Sequence, residues 1–205
     1  MKKLIYVVLT AANIFLLSSC VMGPINTFET GRTSGEGKGE LLGGLGSTGF
    51  VGKLNYGLSE NFDIGVQLET FSLGGRLKYA LMNNQENGFS FSIAGGAGVG
   101  GGGSRHYYGD VLASYLSGDF EPYGSARFVH AINKSYDDKN DMNSDWLFSI
   151  QKPEFDYQQY NLGLRYWVNE QLTLNLELTK LQADSSEIIF KDKTLVNVGL
   201  GVKFQ

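Results

Sequence analysis

From residue 36 to residue 204, apolar and polar residues alternate with a period of two. That is the spacing of a strand whose two faces meet different surroundings. The clearest stretch is Leu172-Thr173-Leu174-Asn175-Leu176-Glu177-Leu178-Thr179, four leucines on one face and polar groups on the other. Ile64–Glu69, Tyr160–Tyr166 and Val196–Phe204 repeat the pattern, and no segment carries a convincing helical period. Ten strands are predicted, at about 36–45, 49–57, 62–70, 72–82, 89–102, 111–118, 124–135, 155–168, 172–183 and 193–204. Their lengths cluster near the ~10 residues that a tilted strand needs to cross a bilayer. An even count suits a closed up-and-down antiparallel transmembrane β-barrel. Eight strands is the alternative, open at the first strand and at the short connection between strands 3 and 4.

The connections differ in kind. Tight turns follow strands 2, 4, 6 and 8, at Leu58–Asn61, Asn83–Gly88, Gly118–Tyr123 and Asn169–Gln171. Larger connections follow strands 5, 7 and 9, at Gly103–Asp110, Tyr136–Glu154 and Asp184–Asp192. Short periplasmic turns with longer outer loops are the barrel pattern, which predicts both chain ends in the periplasm. An aromatic residue also stands just before each tight turn: Tyr56, Tyr79, Tyr115 and Tyr166, with Phe204 in the equivalent place on the last strand. All five are predicted to face outward as a ring at the periplasmic membrane interface.

If the apolar face meets lipid, the other face lines a lumen. Its charged members are Lys53, Glu69, Arg76, Lys78, Arg127, Arg165, Glu177 and Lys203. Isolated burial of such charges costs several kcal/mol, so they must be paired or hydrated. The expected result is a salt-bridged filling of the interior, since eight strands already close around their own side chains and ten enclose little more. Glycine, at 28 of 205 residues, is about twice its ~7 % average. The run Gly95–Gly103 contains a G-x-G-x-x-G spacing, but no helix follows it, so a dinucleotide site is not expected. Those glycines are expected to make room for long lumenal Arg and Lys side chains.

Residues 1–20 read as an export signal, with Lys2 and Lys3 ahead of an apolar stretch from Leu4 to Leu17. After residue 20 no apolar run approaches the ~18 residues of a membrane helix. Loss of residues 1–19 would remove two lysines and no acid, moving the formal charge from −4 to −6, so nucleic acid is not an expected partner. The segment ends Leu17-Ser18-Ser19-Cys20, which resembles the bacterial lipobox. The resemblance implies cleavage before Cys20, a diacylglycerol on its sulfur and an acyl chain on its amine. It also implies the lipoprotein-sorting machinery as a partner, and Val21, not being acidic, implies delivery to the outer membrane. Cys20 is the only cysteine, so no disulfide framework exists. Residues 20–35 then form a tether and 36–205 the barrel. Over that last span the chain resembles small outer-membrane β-barrel proteins of Gram-negative bacteria. Phe204, close to the terminal aromatic of that group, implies the barrel-assembly machinery as a second partner, with outer-membrane lipids and lipopolysaccharide around the barrel.

Candidate chemistry is sparse. His106, in the predicted loop Ser104–Tyr108, lies beside Ser104 and near Asp110. Histidine, serine and acids serve some outer-membrane enzymes that act on lipid A or peptides, but no motif of theirs matches here. His130 lies in strand 7 with no assigned role. Asp141, Asn143 and Asp145 begin a calcium-loop spacing, yet the glycine is absent and Lys152 stands where the closing glutamate belongs. No cofactor or metal is expected. The leading expectation is a non-enzymatic structural or surface-interaction protein with a filled lumen. A narrow channel for small polar solutes, an outer-membrane enzyme and a soluble, lipid-tethered lipocalin-like carrier are the alternatives.

Overall fold

A computed structural model describes residues 25–47, 49–70, 72–100, 104–132, 154–183 and 194–205. Ten strands form it: β1 Gly39–Gly46, β2 Gly49–Ser59, β3 Phe62–Glu69, β4 Ser72–Met82, β5 Gly88–Gly100, β6 Arg105–Leu116, β7 Phe120–Ile132, β8 Glu154–Trp167, β9 Leu172–Ala183 and β10 Thr194–Phe204. Every strand pairs antiparallel with its chain neighbours. β1 closes on β10 from Gly39↔Phe204 to Gly46↔Asn197, which leaves no free sheet edge. The fold is a closed, ten-stranded, all-antiparallel barrel.

The alternation decides which face points where. On β9, Leu176 is 48 % exposed while Glu177 is fully buried, and the same in–out pattern holds around the barrel. Leucines and valines therefore cover the outside and charges the inside. This is the reverse of a soluble carrier, and the apolar belt far exceeds the few hundred Å² that water-soluble surfaces tolerate. Toward the long-loop end the outward face turns polar, through Lys180 and Gln182 on β9, Asp156 and Gln158 on β8 and His130 on β7. His130 Nδ1 and the Asp156 carboxylate lie 2.8 Å apart there, both exposed.

Three strand starts differ most from those expected, and β7 begins at Phe120, four residues early. β1 starts at Gly39, because residues 35–38 form the reversal that leads into it. Gly35 (φ 87°) and Gly37 (φ 71°) adopt left-handed backbone, and the Gly37 N–H donates to the Gly57 carbonyl at 3.0 Å. β6 starts six residues early, at Arg105, so the predicted Gly103–Asp110 loop is mostly strand.

The β5 glycines explain that extension. In register, Gly98 faces His106 and Gly96 faces Tyr108. A Cβ on Gly98 would meet His106 Nε2 at 2.6 Å, and one on Gly96 would run into the Tyr108 ring. Here the glycines make room for aromatic rings rather than for lumenal Arg and Lys. Gly163 does the same for the buried Tyr123 across the β7–β8 ladder. Gly163→Ala is expected to cost about 1–3 kcal/mol through overpacking, read by guanidinium unfolding in detergent. An unchanged midpoint would mean that the Tyr123 ring swings aside freely.

Candidate functional site: a lumen filled by the N-terminal segment

Residues 25–35, expected as a tether, lie inside the barrel and are buried throughout. Ile25 packs with Val129, Ala131, Phe155, Leu181, Ala183 and Leu195, beside the long connections after β7 and β9. Seven to nine residues later the segment has reached the tight turns. Arg32 Nη1 donates to the Gln85 carbonyl at 3.1 Å, Thr33 Oγ1 to the Glu60 carbonyl at 2.5 Å, and the Ser34 N–H to Asp63 at 3.0 Å. The strap thus runs the length of the lumen and reverses into β1.

Much of its backbone polarity is matched by groups on the wall, as burial favours. The amides of Ile25 and Asn26 donate to the Glu69 carboxylate at 2.8 and 2.9 Å. Those of Thr27 and Phe28 donate to Glu177 at 3.0 and 2.7 Å, joined by the Thr27 hydroxyl at 2.5 Å. The carbonyls meet donors: Gln67 on Asn26 at 2.8 Å, Lys53 on Thr27 at 2.5 Å, Arg165 on Phe28 at 3.0 Å and Lys78 on Arg32 at 2.6 Å. Gln159 donates to the Ile25 carbonyl. Phe28 has a left-handed backbone (φ 45°), and its ring fills the notch over Gly44 and Gly199.

Side chains of the strap complete the charge pattern. Glu29 sits among Lys53 at 2.5 Å, Lys78 at 3.7 Å and Arg76. Arg32 grips Glu121 through Nε at 2.8 Å and Nη2 at 2.5 Å. The wall pairs some charges on its own: Arg165 with Glu40 at 2.9 Å, and Arg127 with Asp110 at 2.6 and 2.8 Å. Tyr108 lies under that Arg127 guanidinium, 4.3 Å away. At the short-turn mouth Trp167 meets Lys203 at 4.4 Å and Arg32 at 5.3 Å. Among the described residues, the buried cations are Arg32, Lys53, Arg76, Lys78, Arg127 and Arg165. The buried carboxylates are Glu29, Glu40, Asp63, Glu69, Asp110, Glu121 and Glu177. With the half-buried Lys203 the signs balance at seven each, which is a filled interior rather than a charge-selective one.

The Asp110–Arg127 pair is directly cross-strand and fully enclosed. Arg127→Leu alone is expected to cost about 3–5 kcal/mol by stranding the Asp110 charge, and Asp110→Leu with Arg127→Leu should recover most of it. Guanidinium unfolding of Arg127→Leu, Asp110→Leu and the double variant checks this. A double variant that loses the sum of both singles would show the two residues to be uncoupled.

All eight expected lumenal residues face inward, seven of them buried and Lys203 half-buried. Rather than pairing only with one another, Lys53, Glu69, Arg76, Lys78, Arg165 and Glu177 reach the strap. Tyr56, Tyr79, Tyr115, Tyr166 and Phe204 all stand exposed on the outer wall, next to the tight turns. His106 is a buried strand residue facing the lumen, not a loop residue, and the Asp110 carboxylate is held by Arg127, so the two do not form a reactive pair. Cys20 and the stretch 137–153 lie outside the described residues. The amino end of the chain lies outside the described residues. The described chain begins at the long-loop end with Ile25, whereas β10 ends beside the β8–β9 turn, where the Lys203 N–H donates to the Gln171 carbonyl.

Glu29, Arg32, Glu40, Asp63, Asp110 and Glu121 belong to the network and were not anticipated. Asp110 and Glu121 carry a legible signal, because each falls on the inward beat of its strand. Glu29 and Arg32 lie outside any alternating stretch and carry none.

No protein-family model matches this chain, and no curated protein is significantly similar to it in sequence. Solved structures resemble it in fold. The NanC porin matches with a TM-score of 0.51 and 11 % identity, over 82 % of this chain and 99 % of its own. The fold is that of the outer-membrane β-barrels. The N-terminal barrel domain of Pseudomonas aeruginosa OprF aligns at TM-score 0.41 and 15 % identity, covering 82 % and 96 % of the two chains. The Yersinia pestis outer-membrane protein Ail aligns at TM-score 0.42 and 13 % identity, covering 82 % and 100 %. At such identities the likeness is one of architecture.

Proposed function

We propose that this chain is an outer-membrane β-barrel lipoprotein that serves as a structural or surface-interaction protein, with a lumen permanently closed by its own strap. The observation that carries the reading is the hydrogen-bonded occupation of the lumen by residues 25–35. A solute path would have to break bonds from Glu69, Glu177, Lys53 and Arg165 at once. The outward leucines favour lipid and lipopolysaccharide as the barrel's surroundings, reached through the barrel-assembly machinery. Leu17-Ser18-Ser19-Cys20 supports acylation at Cys20 and passage through the lipoprotein-sorting machinery. Several acyl chains on Cys20 would add an anchor to the one the barrel provides.

Reconstitution of the full-length protein tests this. Ion flux across proteoliposomes should equal that of empty vesicles, and planar bilayers should show no conductance steps. A steady open conductance would overturn the filled-lumen reading in favour of a channel. The lipid is separable by heat-modified mobility on a gel. Both the acylated chain and a Cys20→Ala, signal-exchanged chain should run faster unheated than boiled, and a detergent-free soluble form would overturn the membrane barrel.

A further inference from the structure

The strap assigns the two chain ends to opposite faces of the membrane. We propose that it carries the amino end out to the long-loop face, so that the acyl group on Cys20 inserts in the leaflet on that side, the outer one. The inference rests on the proposed acylation of Cys20 and on the usual barrel orientation, with tight turns periplasmic.

The described residues fix the path. Ser34 and Thr33 bind the tight-turn end and Ile25 packs beside the long connections, so the strap points its amino end toward the long-loop mouth. Cys20 lies five residues before Ile25, within about 18 Å of it at full extension. The hydrocarbon core is ~30 Å thick, so five residues cannot bring Cys20 back to the periplasmic leaflet. The lumen offers no return route either, because the strap fills it and its wall is charged. Acyl chains gain about 0.8 kcal/mol per buried CH₂ and would settle in the nearest leaflet. The strap and the carboxylates that grip it also set an order of assembly. A diacylated residue cannot thread a closed polar lumen, so the strap must be laid down before β1 pairs with β10 along Gly39–Gly46.

Cysteine labelling in whole cells tests the path. An acylated Cys20 has its sulfur blocked, so the natural chain offers no thiol, and Gly23→Cys or Gln205→Cys each introduces one. The probe is a bulky membrane-impermeant maleimide, applied to intact and to permeabilised cells, with heat-modified mobility reporting that each variant is folded. Gly23→Cys should label to the same extent before and after permeabilisation, and Gln205→Cys only afterwards. Labelling of Gly23→Cys only after permeabilisation would overturn the proposal, and Val21→Cys repeats the test if the first variant fails to fold. The natural chain, denatured and probed, reports on the acylation alone. A reactive Cys20 would defeat the lipid reading, and its own labelling in intact cells would still report the path of the strap.

Discussion

A chain lacking residues 25–35 is expected to conduct ions across a planar bilayer, where the intact chain holds the bilayer closed. The wall that remains is a continuous ladder from β1 round to β10, so the barrel does not depend on the strap for closure of its sheet. What it loses is the partner of much of its lumenal charge. Lys53, Arg76 and Lys78 lose Glu29, Glu121 loses Arg32, and Glu69 and Glu177 lose four backbone amides. Charges left this way in a dry interior cost several kcal/mol each, so water and counter-ions enter instead. A ten-stranded wall leaves room for them once the strap is gone, whereas eight strands would close on their own side chains. A synthetic peptide of residues 25–35 added from the long-loop side should reduce the conductance. Absence of steps in the shortened chain would mean that wall side chains alone seal the lumen, and the strap would then be a folding device and not a plug.

How far the sequence anticipates this can be judged strand by strand. The period-two segments of β2, β3, β4, β8, β9 and β10 carry most of their own boundaries, because inward polar positions there mostly alternate with lipid-facing apolar ones. β6 does not. In Arg105-His106-Tyr107-Tyr108-Gly109 the inward beat is aromatic, and it reads as strand only against the glycines of β5 that accommodate it. Alternation also cannot tell inside from outside; the turn lengths and the tyrosines beside the turns did, and the exposed leucines agree. The strap was illegible for a different reason. Ile25-Asn26-Thr27-Phe28-Glu29-Thr30-Gly31-Arg32 has no period because its partners surround it on all sides instead of lying along one ladder. The one trace it leaves is indirect. In register, Glu177 faces Asn197 and Gly163, and Glu69 faces Val51 and Ser72, so neither carboxylate has a cation directly opposite it. Asp110, by contrast, faces Arg127. Two lumenal carboxylates with no cation opposite them leave acceptor capacity for a partner inside the barrel, which the strap's amides fill.

Glu177 measures how much that something matters. Its carboxylate accepts from the Thr27 and Phe28 amides, the Thr27 hydroxyl, the Tyr123 hydroxyl at 3.3 Å and Thr179 Oγ1 at 3.4 Å. Glu177→Ala should cost about 3–5 kcal/mol, since it leaves buried donors without an acceptor and removes one of the balancing charges. Glu177→Gln keeps one acceptor oxygen but turns an NH₂ toward donors, and should cost less, about 1–3 kcal/mol. The decisive measurement is Glu177→Ala in the chain that lacks residues 25–35. There the amides are absent and the position is hydrated, so most of the penalty should vanish, and the difference is the coupling between Glu177 and the strap. Guanidinium unfolding in detergent, followed by the heat-modified band, gives all four corners of this cycle. An equal loss with and without the strap would assign Glu177 to Tyr123 and Thr179 on the wall. It would also remove the strap's best-satisfied anchor and, with it, the main physical reason for the lumen to stay shut.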